Sequence, residues 1–131
     1  MKAFKNIKTF ILFTILTLGI NLSAQDFNSI TKNLVKGDIK KLSLSFDSNP
    51  ELTILDNDAI YSKEQIVAIL KDFLKKNKPS NYKMIHHGNS GNGAFFQIGE
   101  LTTSTDVYRT YIYAKNINGQ FLIQEFRIEE N

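Results

Sequence analysis

The sequence has no cysteine among its 131 residues. That absence excludes a disulfide framework, a thiolate zinc site, an iron–sulfur cluster and a cysteine nucleophile. It also removes the lipid anchor that a cysteine after an apolar leader would accept. No apolar run is long enough to cross a bilayer, which takes about 20 helical residues. The longest, Phe10 to Ile20, has eleven residues and is softened by Thr14, Thr17 and Gly19. No internal repeat, low-complexity segment or linker interrupts the chain. Its apolar fraction of 42% and charged fraction of 22% are those of a globular domain.

What is present begins with a targeting pattern. Lys2, Lys5 and Lys8 precede the apolar run, with no acid among them, and Asn21-Leu22-Ser23-Ala24-Gln25 follows it. A basic start, a short apolar centre and a small residue before a polar one form a secretory signal peptide. Residues 1–24 are therefore expected to be removed between Ala24 and Gln25. Leu22 is less ideal at the third position before the cut, and an uncleaved N-terminal anchor is the alternative. Cleavage leaves 107 residues with 13 basic and 13 acidic side chains, whereas the whole chain carries +3. A neutral domain lacks the clustered positive charge that nucleic acid or an anionic membrane requires. The expected location is secreted or periplasmic.

The remainder, residues 25–131, reads as a single α+β domain. Asp26 is placed to cap a first helix with Phe27, Ile30, Leu34 and Val35 on one face, ended by Gly37. Asp38 is placed to cap a second, short helix carrying Ile39, Leu42 and Phe46. Asp47 to Pro50 reads as a turn, Glu51 to Leu55 as a strand, and Asp56-Asn57-Asp58 as a loop. The third helix has the strongest signal. Ser62 and Gln65 form a capping box, with Tyr61 and Ile66 at the staple positions. Ile66, Ile69, Leu70, Phe73 and Leu74 make its apolar stripe, and Lys71, Lys75, Lys76 and Lys78 form a solvated face near its dipole-favoured end.

After Pro79 the pattern turns extended. Residues 81–87, 94–103, 107–115 and 120–129 are rich in Tyr, Phe, Ile, Val and Thr. Gly88 to Gly93 reads as a mobile connection and Asn118-Gly119 as a hairpin turn. Short links make these strands antiparallel neighbours. Three helices in the N-terminal half are expected on one face of a curved, mainly antiparallel sheet.

Gly37-Asp38-Ile39-Lys40-Lys41-Leu42 with Phe46, the Pro50 to Ile54 strand and Ile60 to Ile66 resemble the opening of the nuclear transport factor 2-like superfamily. That superfamily includes SnoaL-like and ketosteroid-isomerase-like proteins. The small size, the leader and the ending Leu122 to Glu129 are similar to a family of small exported bacterial proteins known only as a domain of unknown function. The resemblance spans the mature chain and implies a conical pocket between helices and sheet. Relatives use that pocket for isomerases, dehydratases, hydrolases, binding or dimerisation. Its motifs are structural, so fold is implied more than activity.

Candidate chemistry is sparse. His86 and His87 are strand neighbours pointing to opposite faces, so they do not share one metal, and no third ligand is recognisable. Asp56-Asn57-Asp58 opens like a calcium loop, but Ile60 and Tyr61 stand where an oxygen ligand and the turn glycine belong. The glycine-rich segment lacks the Lys-Ser/Thr of a phosphate loop. Neither a metal nor a cofactor is implied.

Arg109, Tyr111, Glu125 and Arg127 are the candidate ligand-binding set. A two-residue Asn118-Gly119 turn would set Ile112 against Glu125 and Thr110 against Arg127. A three-residue loop would set Tyr111 against Glu125 and Arg109 against Arg127, and register decides which groups share a face. A surface ion pair is the simpler reading and a ligand clamp the sharper one.

Both faces of the last strands read as apolar: Tyr111, Tyr113, Leu122, Phe126 and Ile128 on one, Ile112, Phe121 and Ile123 on the other. The second face then needs cover, which a homodimer through the sheet would supply. The favoured function is an exported module binding a small apolar ligand or a protein partner. The alternative is an isomerase or hydratase with Glu125, His86 or Glu51 as general base.

Overall fold

The computed structural model describes residues 22–131, with side chains from Asp26 onward. Residues 1–21, most of the signal peptide expected over 1–24, lie outside the described residues. Helix α1 is Leu22–Lys36, so the backbone at Ala24 and Gln25 forms part of its first turn. Asp26 is therefore inside the helix and not its cap. The residues before it, Leu22-Ser23-Ala24-Gln25, include no helix breaker and let the helix begin earlier. Gly37 closes it at φ +69°, where an L side chain is disfavoured.

Helix α2 (Ile39–Ser43) is capped as expected, with the Asp38 carboxylate accepting from the Lys41 N–H at 3.1 Å. It ends before Phe46, which opens strand β1 (Phe46–Ile54). The expected turn at Asp47 to Pro50 is a bulged stretch inside that strand. β2 (Asn57–Ile60) contains most of the expected loop, leaving Leu55 and Asp56 as the connection. Helix α3 (Lys63–Lys76) carries the complete capping box between Ser62 and Gln65. It buries Ile66, Leu70, Phe73 and Leu74.

The remaining strands are β3 (Pro79–Gly91), β4 (Ala94–Thr103), β5 (Val107–Ile117) and β6 (Gln120–Glu130). β3 runs through the glycine-rich segment to Gly91, so the expected mobile connection shrinks to Asn92-Gly93. Both Asn92-Gly93 and Asn118-Gly119 have positive φ at both residues. That is the primed turn whose twist matches its flanking strands. The sheet order is β2-β1-β6-β5-β4-β3, and only the β1–β6 pairing is parallel. The α+β layout is the expected one, with the helices on one side of a curved sheet.

The core lies between helices and sheet. Phe27, Ile30 and Leu34 of α1, Leu42 of α2 and the α3 stripe meet Leu52, Leu101, Ile112, Ile123, Phe126 and Ile128. Phe46 and Phe126 pack edge to face with ring centres 5.9 Å apart.

Candidate functional site

Two registers were open for the last hairpin, and the protein adopts neither throughout. Ile117 opposes Gln120 across a two-residue turn and Ala114 opposes Ile123, but Tyr113 then opposes Glu125. Gln124 is the extra residue of a β-bulge. Its amide donates to the Asp47 carboxylate at 2.9 Å and to the Leu122 carbonyl at 3.3 Å, tying the β6 bulge to that of β1. The Asp47 carboxyl is held below its ordinary range by the Ser48 N–H and then by Gln124.

The bulge sets which side each residue faces. Ile112, Ile123, Phe126 and Ile128 are all buried against the helices. Tyr111, Tyr113, Leu122, Glu125, Arg127 and Glu129 are half-buried on the other, outer side. The expected grouping of Phe126 and Ile128 with Tyr111 is thereby corrected. Apolar residues at 123 and 126 are three apart, and only a bulge puts both on one face.

The four candidate binding residues do meet, on the outer face and not in the cone. Arg109, Tyr111, Glu125 and Arg127 line an open depression of about 510 Å3 with Ile98, Glu129 and Glu130. Tyr111 opposes Arg127, whose guanidinium carbon is 5.9 Å from the ring centre. Arg127 Nε donates to Glu125 Oε1, and its Nη1 stands 3.8 Å from Glu129 Oε1. Donating this hydrogen bond to Glu125 raises the Arg127 pKa further, and burial, then the Glu125 charge, raises that of Tyr111. With the Arg127 side chain 40% exposed, this pair contributes about 0–1 kcal/mol.

Glu51 of β1 opposes Glu125, and Thr53 beside it donates to Asp58 at 3.2 Å. The Asp58 charge, then the Glu125 charge, raises the Glu51 pKa. Such a raised carboxyl favours the folded state below the carboxylate range, and that advantage is lost as pH rises through its folded pKa. Glu51→Gln should therefore raise the unfolding midpoint at neutral pH and leave it unchanged in acid. Urea titrations of both chains across that range check this, and an equal gain at all pH values would sink it.

His86 and His87 lie on opposite faces of β3, as expected, and both are exposed. The His86 ring is 5.6 Å from Phe96 on the outer side. Among the described residues no three His, Cys, Asp or Glu groups converge as a metal site would need.

The inner side holds a polar group of residues that the sequence did not flag. Tyr82 donates to Gln97 Oε1 at 2.9 Å and receives the Thr110 hydroxyl at 3.4 Å. Burial raises the Tyr82 pKa. Its ring lies over Gly99, where an added Cβ would stand 2.2 Å from the hydroxyl oxygen. Tyr82 and Gln97 open onto a cleft of about 390 Å3 beneath α1, reached by Asn28, Thr31, Lys32 and Lys36. The available signal was Gln97, one polar residue at an inward position between Phe95 and Gly99. A second groove, of about 650 Å3, lies between α3 and the β1–β2 hairpin.

Helices on one side of a six-stranded, bulged sheet define the nuclear transport factor 2-like class of α+β domain. The chain belongs to the DUF4783 family, a domain of unknown function, whose profile matches residues 27–129. A DUF4783 family protein from Bacteroides ovatus is 24% identical with a TM-score of 0.73, over 79% of this chain and 93% of that one. An NTF-2 like protein of unknown function from Shewanella oneidensis is 13% identical with a TM-score of 0.65, over 82% and 96%. A ketosteroid isomerase-like protein from Erwinia carotovora is 7% identical with a TM-score of 0.67, over 81% and 91%. At these identities the likeness is one of fold. No curated protein matches at a significant level.

Proposed function

We propose that this chain is an exported, non-catalytic binding module that pairs with a second copy through the outer face of its sheet. The observation that carries the pairing is the composition of that face. Phe96, Ile98, Tyr111 and Tyr113 lie half-buried side by side on its central strands. Around them the charges are divided. Asp58, Glu51, Glu125 and Glu129 lie on β2-β1-β6, while Lys83, Arg109 and Lys115 lie on β5-β4-β3. Arg127 and Glu100 are the exceptions. A twofold axis along the strands lays the acidic half of one copy over the basic half of the other, as an isologous interface requires.

The non-catalytic part rests on where the candidate bases stand. Glu51, Glu125 and His86, the groups an isomerase or hydratase would use, lie on the outer face. Apart from the Tyr82, Gln97 and Thr110 group, the inner side is packed with aliphatic and aromatic side chains. Export rests on the leader pattern and the small Ala24 before Gln25. Among the described residues no helix is long and apolar enough to cross a membrane.

Sedimentation velocity across micromolar concentrations tests the pairing. A dimer is expected, and Ile98→Lys on the outer face should convert it to a monomer with its fold intact. A wild-type monomer throughout, or a dimer unaffected by that change, would end this reading.

A further inference from the structure

We propose that the cleft between α1 and the β3–β4 edge binds a small organic carboxylate with a short apolar tail. This deepens the binding-module reading by naming a ligand class, and it is separate from pairing, which uses the opposite side of the sheet. The starting point is Gln97. Its side chain is more than nine-tenths buried and lines the cleft. Its Oε1 is occupied by the Tyr82 hydroxyl, whereas its Nε2 has no acceptor among the described residues. Among the described residues no fully buried side-chain nitrogen or oxygen lacks a partner, so Nε2 opens onto the cleft and its water, which an acceptor oxygen brought by a ligand would replace.

The rim adds a sign. Lys32 and Lys36, four residues apart on α1, stand on the same side of the helix and border the cleft. Among the described residues no carboxylate lines it. The only Asp or Glu within the described part of α1 is Asp26, which is not among the lining residues. An oxyanion is thus matched by an amide donor at the floor and by two ammonium groups at the mouth. Val35 and Met84 give the walls an apolar portion, Met84 being 46% exposed although large and apolar. That suits a short hydrocarbon tail. A volume of about 390 Å3 lies within the range of roughly 300–1,000 Å3 usual for small-molecule sites.

Titration of the isotope-labelled protein with sodium hexanoate, hexanol and hexylammonium, followed by NMR, tests the assignment. Hexanoate should move the Gln97 side-chain amide signals and the backbone signals of Thr31, Lys32 and Tyr82 saturably. Hexanol and hexylammonium should bind about tenfold more weakly or not at all, since they lack the charge-assisted contacts. Lys32→Glu with Lys36→Glu changes exposed residues only. It should weaken hexanoate about tenfold, with only a small fall in the unfolding midpoint because Lys36 lies in the last turn of α1. Gln97→Glu, which keeps the side-chain shape, should also weaken hexanoate by replacing the donor with a carboxylate, at some cost in stability because the site is buried. Hexanol binding as tightly as hexanoate, or lysine variants binding normally, would overturn the proposal. Saturable shifts confined to the groove beside α3 would overturn this site while leaving a ligand-binding module. No binding by any of the three probes would overturn both, and sedimentation would still judge the pairing.

Discussion

Replacing Phe126 with Ala should lower the unfolding free energy by about 3–5 kcal/mol, the range for removing a buried aromatic ring. Phe126 is fully buried on β6, a strand paired on both sides, and opposes Leu52 of β1 and Ile112 of β5. Its ring meets Phe46 at an interplanar angle of 79°. An edge-to-face pair of this kind adds about 0.5–1.5 kcal/mol to the burial itself. Each kcal/mol corresponds to about 4–8 °C in the melting temperature of a small domain. The change should therefore dominate a thermal scan. Phe126→Leu keeps much of the volume and should cost far less. A loss below about 1 kcal/mol for the alanine variant would mean that the sheet does not close on this ring.

Gly99→Val should be the second severe change, for a reason of space and not of backbone conformation. The Tyr82 ring crosses Gly99 so closely that a Cβ would stand 2.3 Å from Cζ as well as 2.2 Å from the hydroxyl. The ring would have to swing out, losing its bond to Gln97 at 2.9 Å. Overpacking costs about 1–3 kcal/mol and the broken hydrogen bond about 1 kcal/mol more. A double-mutant cycle separates this from a general intolerance at Gly99. In a Tyr82→Ala background the valine has room, so its cost should fall sharply. An undiminished cost in that background would refute the proposed clash.

These two residues also mark the limit of what the sequence reveals. Ser62 with Gln65, Asp38 with Lys41 and Asn118-Gly119 are local devices, and each is found where the sequence places it. Their chemistry acts over three or four residues, so neighbouring residues suffice to identify them. The bulges at Gln124 and at Asp47 to Pro50 are different. They are fixed by pairing between β1 and β6, some seventy residues apart, and by the Gln124–Asp47 bond. The spacing of Ile123 and Phe126 was the visible trace of the first. Arg127, Glu125 and Tyr111 were legible as companions, but the side of the sheet they share was not. Gln97 and Tyr82 are not legible in the sequence because a polar residue in a strand becomes distinctive only when both its neighbours and its covering helix are known.

β3 has a consequence for solubility. It is one of the two edge strands and the longer of them, at thirteen residues, and its free side offers backbone N–H and C=O groups to any other extended chain. Against β4 it carries one extra residue at Ser80, at Ile85 and at Ser90, about every five residues. Each bulge bends the strand and breaks the row of evenly spaced groups before a long ladder can form. Lys83 adds a charge between the first two. The irregular edge thus acts as a guard against edge-to-edge sheet growth, so that straightening β3 by deleting its bulge residues would favour fibrous aggregation even if the fold beneath it were undisturbed.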